Sequence, residues 1–200
     1  MYTTPTSGPL RRSAQTAMFH IAESMVRWLA PILSFTAEEV WGYLPGERCE
    51  SVFHETWHAL PSLPAETIDW DALIALRGDV MRELEKLRDA GHIGAPLDAQ
   101  VDVYCLPDQL ARFAALGAEL RFLLITSHAH VHEALVAPPE AVPAASAGGG
   151  AWIRVQPSDE PKCVRCWHHR PDVGADPRHP RLCARCVSNI EGPGEQRMFI

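Results

Sequence analysis

Apolar side chains in the first third of the chain recur at intervals of three and four residues. This period runs over residues 14–32 and is typical of a helix with one buried face, which Pro31 is expected to end. A capping box formed by Thr36 and Glu39 predicts the start of a second, short helix. We therefore expect part of a helical bundle within residues 1–62, with the remaining helices supplied by a longer chain.

A proline-rich stretch follows this region. Residues 61–66 suit neither a helix nor a central strand and are interpreted as a linker. After it, Asp69 is expected to cap a helix that keeps its apolar period as far as Gly91. Alternating apolar and polar residues predict a half-buried strand over residues 101–105, and Pro107 then opens a short helix.

Two further strands are predicted in the middle of the chain. Residues 120–125 are nearly all apolar, which favours a central strand, and residues 151–155 form another short candidate. Together with the preceding helix and strand, they predict a small α+β domain over residues 67–155.

The strongest chemical signal is a set of four cysteines near the end of the sequence. Cys163 and Cys166 form one Cys-x-x-Cys pair, and Cys183 and Cys186 form a second. Two such turns supply the four soft ligands that a tetrahedral structural Zn²⁺ takes, with no position left for water. A pair of disulfides is the alternative, which a cytoplasmic setting disfavours. We expect one structural zinc in a module over residues 156–200.

The remaining cysteines carry no such pattern. Cys49 and Cys105 have no Cys-x-x-Cys partner and are interpreted as buried free thiols. The fold class expected for the whole chain is therefore α+β and multi-modular: a partial helical bundle, a small α+β domain and a four-cysteine zinc finger.

The composition and hydropathy of the chain limit the class of protein and its expected location. Charged residues make up 22% and hydrophobic residues 46%, an ordinary globular balance that argues against disorder. No apolar run approaches the ~20 residues of a membrane span, and the first residues do not form a signal peptide. We expect a cytoplasmic protein with no membrane partner.

Charge is unevenly distributed along the chain. The net charge of −7 argues against a protein that coats nucleic acid, but basic residues and one tryptophan surround the cysteines. Guanidinium groups can meet phosphates there, and an indole can stack on an unpaired base. Alternatively, the tryptophan only covers the zinc site. The candidate nucleic-acid-binding residues are Lys162, Arg165, Trp167, Arg170, Arg181 and Arg185.

Two weaker patterns have simpler explanations. His128, His130 and His132 would share one face of a strand and could chelate a metal, but a solvated edge strand explains them as well. Residues 91–94 contain half of the nucleotide-binding His-Ile-Gly-His signature of class I aminoacyl-tRNA synthetases, but Ala95 replaces the second histidine. A loop that ends a helix is the preferred interpretation.

The four-cysteine segment resembles the C-terminal zinc module of bacterial isoleucyl-tRNA synthetases. The resemblance lies in the run from Lys162 to His168, with Cys-Val-Arg-Cys-Trp, and in Cys-Ala-Arg-Cys-Val-Ser-Asn from Cys183. Residues 29–41 resemble the anticodon-binding helical bundle of the isoleucyl, valyl, leucyl and methionyl enzymes. Residues 79–97 and 126–131 are similar to the domain that joins these two parts in the isoleucyl enzyme.

The resemblance implies a longer enzyme in which catalysis and tRNA binding are carried out by different parts of the chain. The parent would activate isoleucine with ATP and esterify it to isoleucine tRNA, and this piece would hold that tRNA near its anticodon. The nucleotide-binding fold and its signature loops are absent from the sequence. The chain alone would therefore have no catalytic residues and no ATP site, and its partners would be isoleucine tRNA and the rest of the synthetase chain.

Two other functions remain open from the sequence. The cysteine spacing also resembles the zinc finger of formamidopyrimidine-DNA glycosylases, although the Pro-Glu start that carries their nucleophile is absent here. A zinc-stapled protein-interaction module is the third possibility, if the basic residues lie on unrelated faces.

Overall fold

The computed structural model describes residues 2–63 and 67–199, which divide into two compact units. Residues 6–63 form one unit, and residues 2–5 together with 67–199 form the other. Of the predicted linker, residues 61–63 have no regular secondary structure and residues 64–66 lie outside the described residues. None of the helices described here combines the length and apolar character needed to cross a membrane.

The first unit is built on two helices, α1 (Pro9–Leu29) and α2 (Ser34–Tyr43). The predicted helix is confirmed, and α1 ends before Pro31 as expected. The predicted buried face is wrong: Met18, Ile21 and Met25 of the apolar stripe are exposed, and the buried residues of α1 are Glu23, Ser24 and Val26. The capping box is wrong: α2 begins at Ser34, so Thr36 lies inside the helix, and no side chain caps its first turn. A small apolar core joins the helices to the following turn and consists of Val26, Ala30, Ala37, Trp41 and Val52.

A buried carboxylate organises the polar side of this unit. The side chain of Glu23 is only 4% exposed, and it pairs with Arg27 at 2.5 Å and with Arg48. Both guanidinium groups also lie over the Trp41 ring, 4.7 and 4.4 Å from its centroid. Burial by itself raises the pKa of Glu23, but the hydrogen bonds and charges of Arg48 and Arg27 outweigh it and hold the pKa below its ordinary value.

The opposite face of α1 and α2 is apolar and exposed. A groove of about 240 Å³ lies there, lined by side chains that include Met25, Leu29, Leu33 and Val40. Trp28 on α1 is also exposed. An exposed apolar surface of this kind marks an interaction site in a soluble protein.

The second unit contains one long helix, a mixed sheet and short helices. The elements are α3 (Trp70–Asp89), β1 (Ala99–Cys105), α4 (Leu110–Phe113), α5 (Leu120–Leu124), β2 (His128–Glu133), β3 (Val142–Pro143), β4 (Ala151–Pro157) and α6 (Ala184–Glu191). The strands lie in the order β2-β1-β4-β3, with β1 and β2 parallel and the other pairs antiparallel. Helices, a small mixed sheet and a cluster of four cysteines confirm the predicted fold class.

Helix α3 packs its apolar face against the sheet. Leu73, Leu76 and Val80 are fully buried in the same core as Val101 and Val103 of β1. The predicted cap is confirmed, because the Asp69 side chain accepts a hydrogen bond of 3.0 Å from the amide of Ala72. The helix ends at the predicted place.

The apolar run at residues 120–125 is a helix, and the predicted central strand is wrong. Leu120 and Leu124 are both fully buried, four residues apart, as one face of a helical turn requires. Ile125 ends the helix with a left-handed backbone, at a φ of 57°. A short apolar run has no periodicity, and the sequence pattern therefore cannot distinguish a buried strand from a buried helical turn.

The three histidines lie on β2, an edge strand of the sheet. Asp102 of the neighbouring β1 is buried, although the alternation predicted it on the outer face. Its carboxylate accepts hydrogen bonds of 2.8 Å from His132 and 2.9 Å from Arg154. Arg154 and His132 together hold the pKa of Asp102 below its ordinary value, although burial by itself raises it.

Candidate metal centre and nucleic-acid interface

The first cysteine pair lies in a tight turn. The amide of Trp167 donates to the carbonyl of Cys163 at 2.9 Å, and the amide of Cys163 donates to the carbonyl of His168 at 2.9 Å. Trp167 adopts a left-handed backbone, with a φ of 64°. The turn folds the chain back so that Cys163 and Cys166 present their sulfurs to the same side.

The second cysteine pair begins α6. Cys183 occupies the N-cap position of that helix, and Cys186 lies in its first turn. The positive end of the helix dipole favours negative charge at both positions, which stabilises thiolates. Two different local structures, a turn and a helix start, thus supply two sulfurs each.

All four sulfurs converge on one point. They lie within 4.8 Å of one another, and the Cys166 and Cys183 sulfurs are 3.7 Å apart. A tetrahedral Zn²⁺ with Zn–S bonds of ~2.3 Å places its sulfurs ~3.8 Å apart, so the donor set fits zinc. The six cysteines are all free thiols, which speaks against the alternative of two disulfides. Cys105 is buried as predicted, whereas Cys49 is only half-buried.

The pKa values of the clustered cysteine thiols also favour binding of a cation. Hydrogen bonds from Cys183 and Cys186 lower the pKa of Cys166. The hydrogen bond between Cys166 and Cys183 in turn raises the pKa of Cys183 to about 11. One thiolate therefore opposes ionisation of its neighbours, and four thiolates need a cation at their centre.

The neighbouring histidines are engaged elsewhere. Nδ1 of His168 lies 3.1 Å from the carbonyl oxygen of Cys166. His169 bonds the carbonyl of Glu160 at 2.6 Å and the carboxylate of Asp98 at 3.2 Å. Neither belongs to the cysteine cluster, in agreement with a site that four sulfurs complete.

The six predicted nucleic-acid-binding residues around the cluster fall into two groups. Lys162, Trp167 and Arg181 are exposed, although Lys162 also pairs with Asp98 at 2.6 Å. The other three arginines bond within the chain: Arg165 donates to the Thr3 carbonyl at 2.7 Å, Arg170 pairs with Asp172 at 3.0 Å, and Arg185 pairs with Glu195 at 3.1 Å.

Trp167 does not cover the cysteine sulfurs as a buried lid. Its side chain remains 62% exposed beside Cys166, which is itself buried. The sequence left open whether this indole covers the zinc site or faces a ligand. An exposed indole on a rigid turn is available for stacking.

The histidines of β2 are not brought together as metal ligands. Neighbouring rings on the strand are 6.0 and 6.2 Å apart between centroids. In residues 2–63 and 67–199, the four cysteines are the only group of three or more ligating side chains with atoms this close. The edge-strand interpretation therefore fits these histidines better than a second metal site.

Sequence reasoning missed two arginines near the cluster. Arg121 lies on α5 and Arg197 follows α6, and both guanidinium groups pack on the ring of Phe122. The wrong strand assignment at residues 120–125 concealed Arg121, because a central strand would not have carried it to a surface next to the zinc module.

Comparison with known proteins finds two families. A family model described as the anticodon-binding domain of tRNA ligase matches residues 1–103. A second, described as a zinc finger found in FPG and IleRS, matches residues 160–189, which include all four cysteines.

Curated relatives match nearly the whole chain. A protein named isoleucine–tRNA ligase from Nitrosococcus oceani is 54% identical over 99% of this chain and 21% of its own length. Proteins of the same name from Halorhodospira halophila and Thioalkalivibrio sulfidiphilus are 52% and 53% identical, over 98% and 99% of this chain and 22% of their own lengths. The chain thus spans about a fifth of the length of these relatives.

These findings decide between the families that the sequence suggested. The resemblance to isoleucyl-tRNA synthetases is confirmed, and the DNA glycosylase alternative is not favoured, because the relatives follow the chain through both matched regions. The model of the anticodon-binding domain matches more than half of the residues. The chain therefore belongs to the family of the anticodon-binding domain of tRNA ligases.

Proposed function

We propose that this chain is the tRNA-binding C-terminal part of an isoleucine–tRNA ligase and holds isoleucine tRNA near its anticodon. The observation that carries the proposal is the presence of both matched regions, the anticodon-binding domain and the zinc finger, in one chain that follows isoleucine–tRNA ligases over 99% of its length.

The zinc site has a structural role in this proposal. Cys163, Cys166, Cys183 and Cys186 would hold one Zn²⁺, which joins the turn at the first pair to the start of α6. Four sulfurs fill a tetrahedral ion, so it would not activate water. The binding free energy of the metal would instead contribute to folding of the module.

The exposed members of the predicted set would contact the RNA directly. Lys162 and Arg181 would meet phosphates, and the Trp167 indole would stack on an unpaired base. Arg165, Arg170 and Arg185 already have partners within the chain, and they would contribute chiefly through their charge.

Catalysis would belong to the rest of the enzyme. Activation of isoleucine with ATP and its transfer to tRNA would take place in a catalytic domain outside these 200 residues, and we assign no catalytic residue and no ATP site to this chain. The exposed apolar groove between α1 and α2 supports the rest of the synthetase chain as a second partner. The cytoplasm remains the predicted location.

We also propose the three-part organisation that the sequence predicts. Residues 1–62 would belong to the anticodon-binding bundle, residues 67–155 to a small α+β domain, and residues 156–200 to the zinc module. The small domain has a sheet and a core of its own, which supports this division.

A direct binding comparison tests the function. The zinc-loaded chain is titrated with isoleucine tRNA and with duplex DNA of similar length at equal salt. We expect tighter binding to the tRNA. Preference for the duplex would favour the glycosylase-like alternative, and binding to neither would leave the protein-interaction module as the better function.

A further inference from the structure

A cleft of about 480 Å³ lies beside the zinc module, between residues 114–122 and residues 195–199. Four arginine side chains line it and come from four different places in the sequence. They are Arg121, Arg170, Arg185 and Arg197.

Three of these guanidinium groups gather on one aromatic ring. Arg197, Arg121 and Arg185 lie 3.6, 4.5 and 5.6 Å from the centroid of Phe122. Cation–π contacts reduce the cost of placing like charges so close, but they do not neutralise them. The cleft therefore offers cationic donors gathered around a single aromatic ring.

The carboxylates of the cleft leave part of the charge unpaired. Glu195 accepts from Arg185 at 3.1 Å and from Arg197 at 2.8 Å. Glu119 is occupied by the backbone amides of residues 198 and 199, at 2.6 and 2.9 Å. Among the residues that the structure describes, Arg121 pairs with no carboxylate; its contact is the Phe122 ring.

A buried donor is also unsatisfied. The Arg185 side chain is only 9% exposed, and its Nη2 atom has no hydrogen-bond partner in the described part of the chain. Burial lowers the pKa of Arg121, and the charges of Arg170, Arg185 and Arg197 lower it further. A buried unpaired donor and mutually repelling cations both call for an anion.

We propose that this cleft binds a phosphate group of the RNA backbone, with Arg121 as its main donor and the charges of Arg170, Arg185 and Arg197 in support. The inference rests on the proposed tRNA-binding function, which makes an RNA phosphodiester the source of the phosphate. Guanidinium groups match phosphate oxygens with two parallel hydrogen bonds, and the single charge of a phosphodiester suits the small excess of positive charge.

The surface next to the cleft extends the path of a nucleic-acid backbone. Arg121 also lines a second cleft of about 430 Å³, whose wall carries His128, His130 and His132. Nε2 of His132 already donates to Asp102, and Nε2 of His128 donates to the carbonyl of His169 at 3.0 Å. The exposed imidazole of His130 is therefore the further donor that the edge strand offers to a backbone leaving the arginine cleft.

The test compares charge-matched variants of the full, zinc-loaded chain. Arg121→Gln is expected to weaken binding to isoleucine tRNA about tenfold and to reduce the slope of log K against log salt by about 0.7 to 0.9. Arg121→Lys retains the charge and should keep most of that slope. Arg88→Gln is the control, because this substitution removes the same charge from the exposed surface of α3, where Arg88 pairs with Glu85.

A second measurement separates this inference from the proposed function. Inorganic phosphate is titrated into the parent chain and into Arg121→Gln while the side-chain N–H resonances of arginine are followed by NMR. Zinc content and thermal unfolding of each variant establish that the module is folded. We expect phosphate to shift the Arg121 resonance of the parent.

Each outcome has a distinct meaning. If the parent binds tRNA and Arg121→Gln binds it equally well, or if Arg88→Gln weakens binding to the same extent, the cleft is not a phosphate site and the tRNA-binding function stands. If tRNA does not bind but phosphate shifts Arg121, the proposed function fails and the cleft takes free phosphate. Failure of both measurements overturns both proposals.

Discussion

The backbone amide of Cys183 lies 3.4 Å from the sulfur of Cys163 and donates a hydrogen bond to it. The donor belongs to the residue that begins α6, and the acceptor belongs to the turn of the first cysteine pair. Hydrogen bonds to a thiolate stabilise its charged form, as metal binding requires. Formation of the helix and formation of the metal site are therefore coupled.

Removal of one cysteine is expected to abolish zinc binding. Elemental analysis should give one zinc per parent chain, and Cys183→Ala should lose most of it, because three sulfurs leave the tetrahedral site incomplete. Cys49→Ala is the matched control, since Cys49 lies in the other unit. Full zinc occupancy in Cys183→Ala would contradict the proposed ligand set.

Chelation of the metal should unfold the zinc module before the rest of the chain. Zinc binding free energy is folding free energy for such a module, whereas α3 and the sheet have a core of their own. Hydrogen exchange after addition of a chelator should show loss of protection first in residues ~160–190. Acid should act in the same direction, because thiols must lose their protons to bind zinc. Simultaneous loss of protection throughout the chain would show that the module is not separable.

Loss of the exposed indole should weaken RNA binding without loss of zinc. We expect Trp167→Ala to reduce the binding free energy for isoleucine tRNA by about 1 to 3 kcal/mol, the value of stacking one base on an aromatic side chain. Val164→Ala is a suitable control, because Val164 is an exposed apolar residue of the same turn. Unchanged tRNA affinity in Trp167→Ala, with zinc retained, would assign this residue a structural role only.

The buried carboxylate of the first unit should stabilise it in a pH-dependent way. Glu23→Gln is expected to lower the free energy of unfolding of residues 6–63 by about 3 kcal/mol at pH 7, because Arg27 and Arg48 lose their buried counter-charge. The folded pKa of Glu23 lies below its ordinary value of 4.5. The stabilisation is therefore fully present above pH 4.5 and is lost as the pH falls through the folded pKa.

Hydrogen exchange within residues 6–63 measures this effect apart from zinc release in the other unit. The difference between the parent and Glu23→Gln should be equal at pH 7 and pH 5.5 and should shrink below pH 4.5. Glu47→Gln removes the same charge from an exposed position and should change little. A difference that grows as the pH falls would show that the folded pKa is raised.

The cap of α3 can be tested with two substitutions at one position. Asp69→Ala should cost about 1 kcal/mol in the free energy of unfolding, because the amide of Ala72 loses its acceptor. Asp69→Asn keeps a capping oxygen and loses only the ion pair with Arg112, which is partly exposed and contributes little. Equal destabilisation by both substitutions would assign the effect to the ion pair.

Periodicity predicted the elements that have one buried face. It identified α3, β1 and β4, because in each the apolar positions follow the geometry of the buried face. It also located α1, but the apolar stripe of that helix is exposed. It failed at residues 120–125, where every position except Arg121 is apolar and the period carries no information. At Thr36 the local capping signal was overridden, because the turn after α1 starts α2 two residues earlier.

The sequence was sufficient to predict the metal ligands of the candidate site, but not the contacts of the basic residues around them. Spacing alone brought the four cysteines together, since two residues between ligands fix the geometry of each pair. The partners of the arginines depend on distant contacts that spacing does not encode. Glu195 neutralises Arg185 from the last residues of the chain, and Arg121 reaches the zinc module from α5.

The Thr3 carbonyl accepts hydrogen bonds from both Arg165 and Asn189, at 2.7 and 2.9 Å. Residues 2–5 thus belong to a unit whose other members begin only after residue 66. During synthesis, this segment leaves the ribosome before residues 6–63, but its partners follow more than 160 residues later. At ~5 to 20 residues per second, it waits roughly ten to thirty seconds, long enough for residues 6–63 to fold beforehand. Residues 2–5 therefore reach their native contacts only after residues 6–63 have had time to fold.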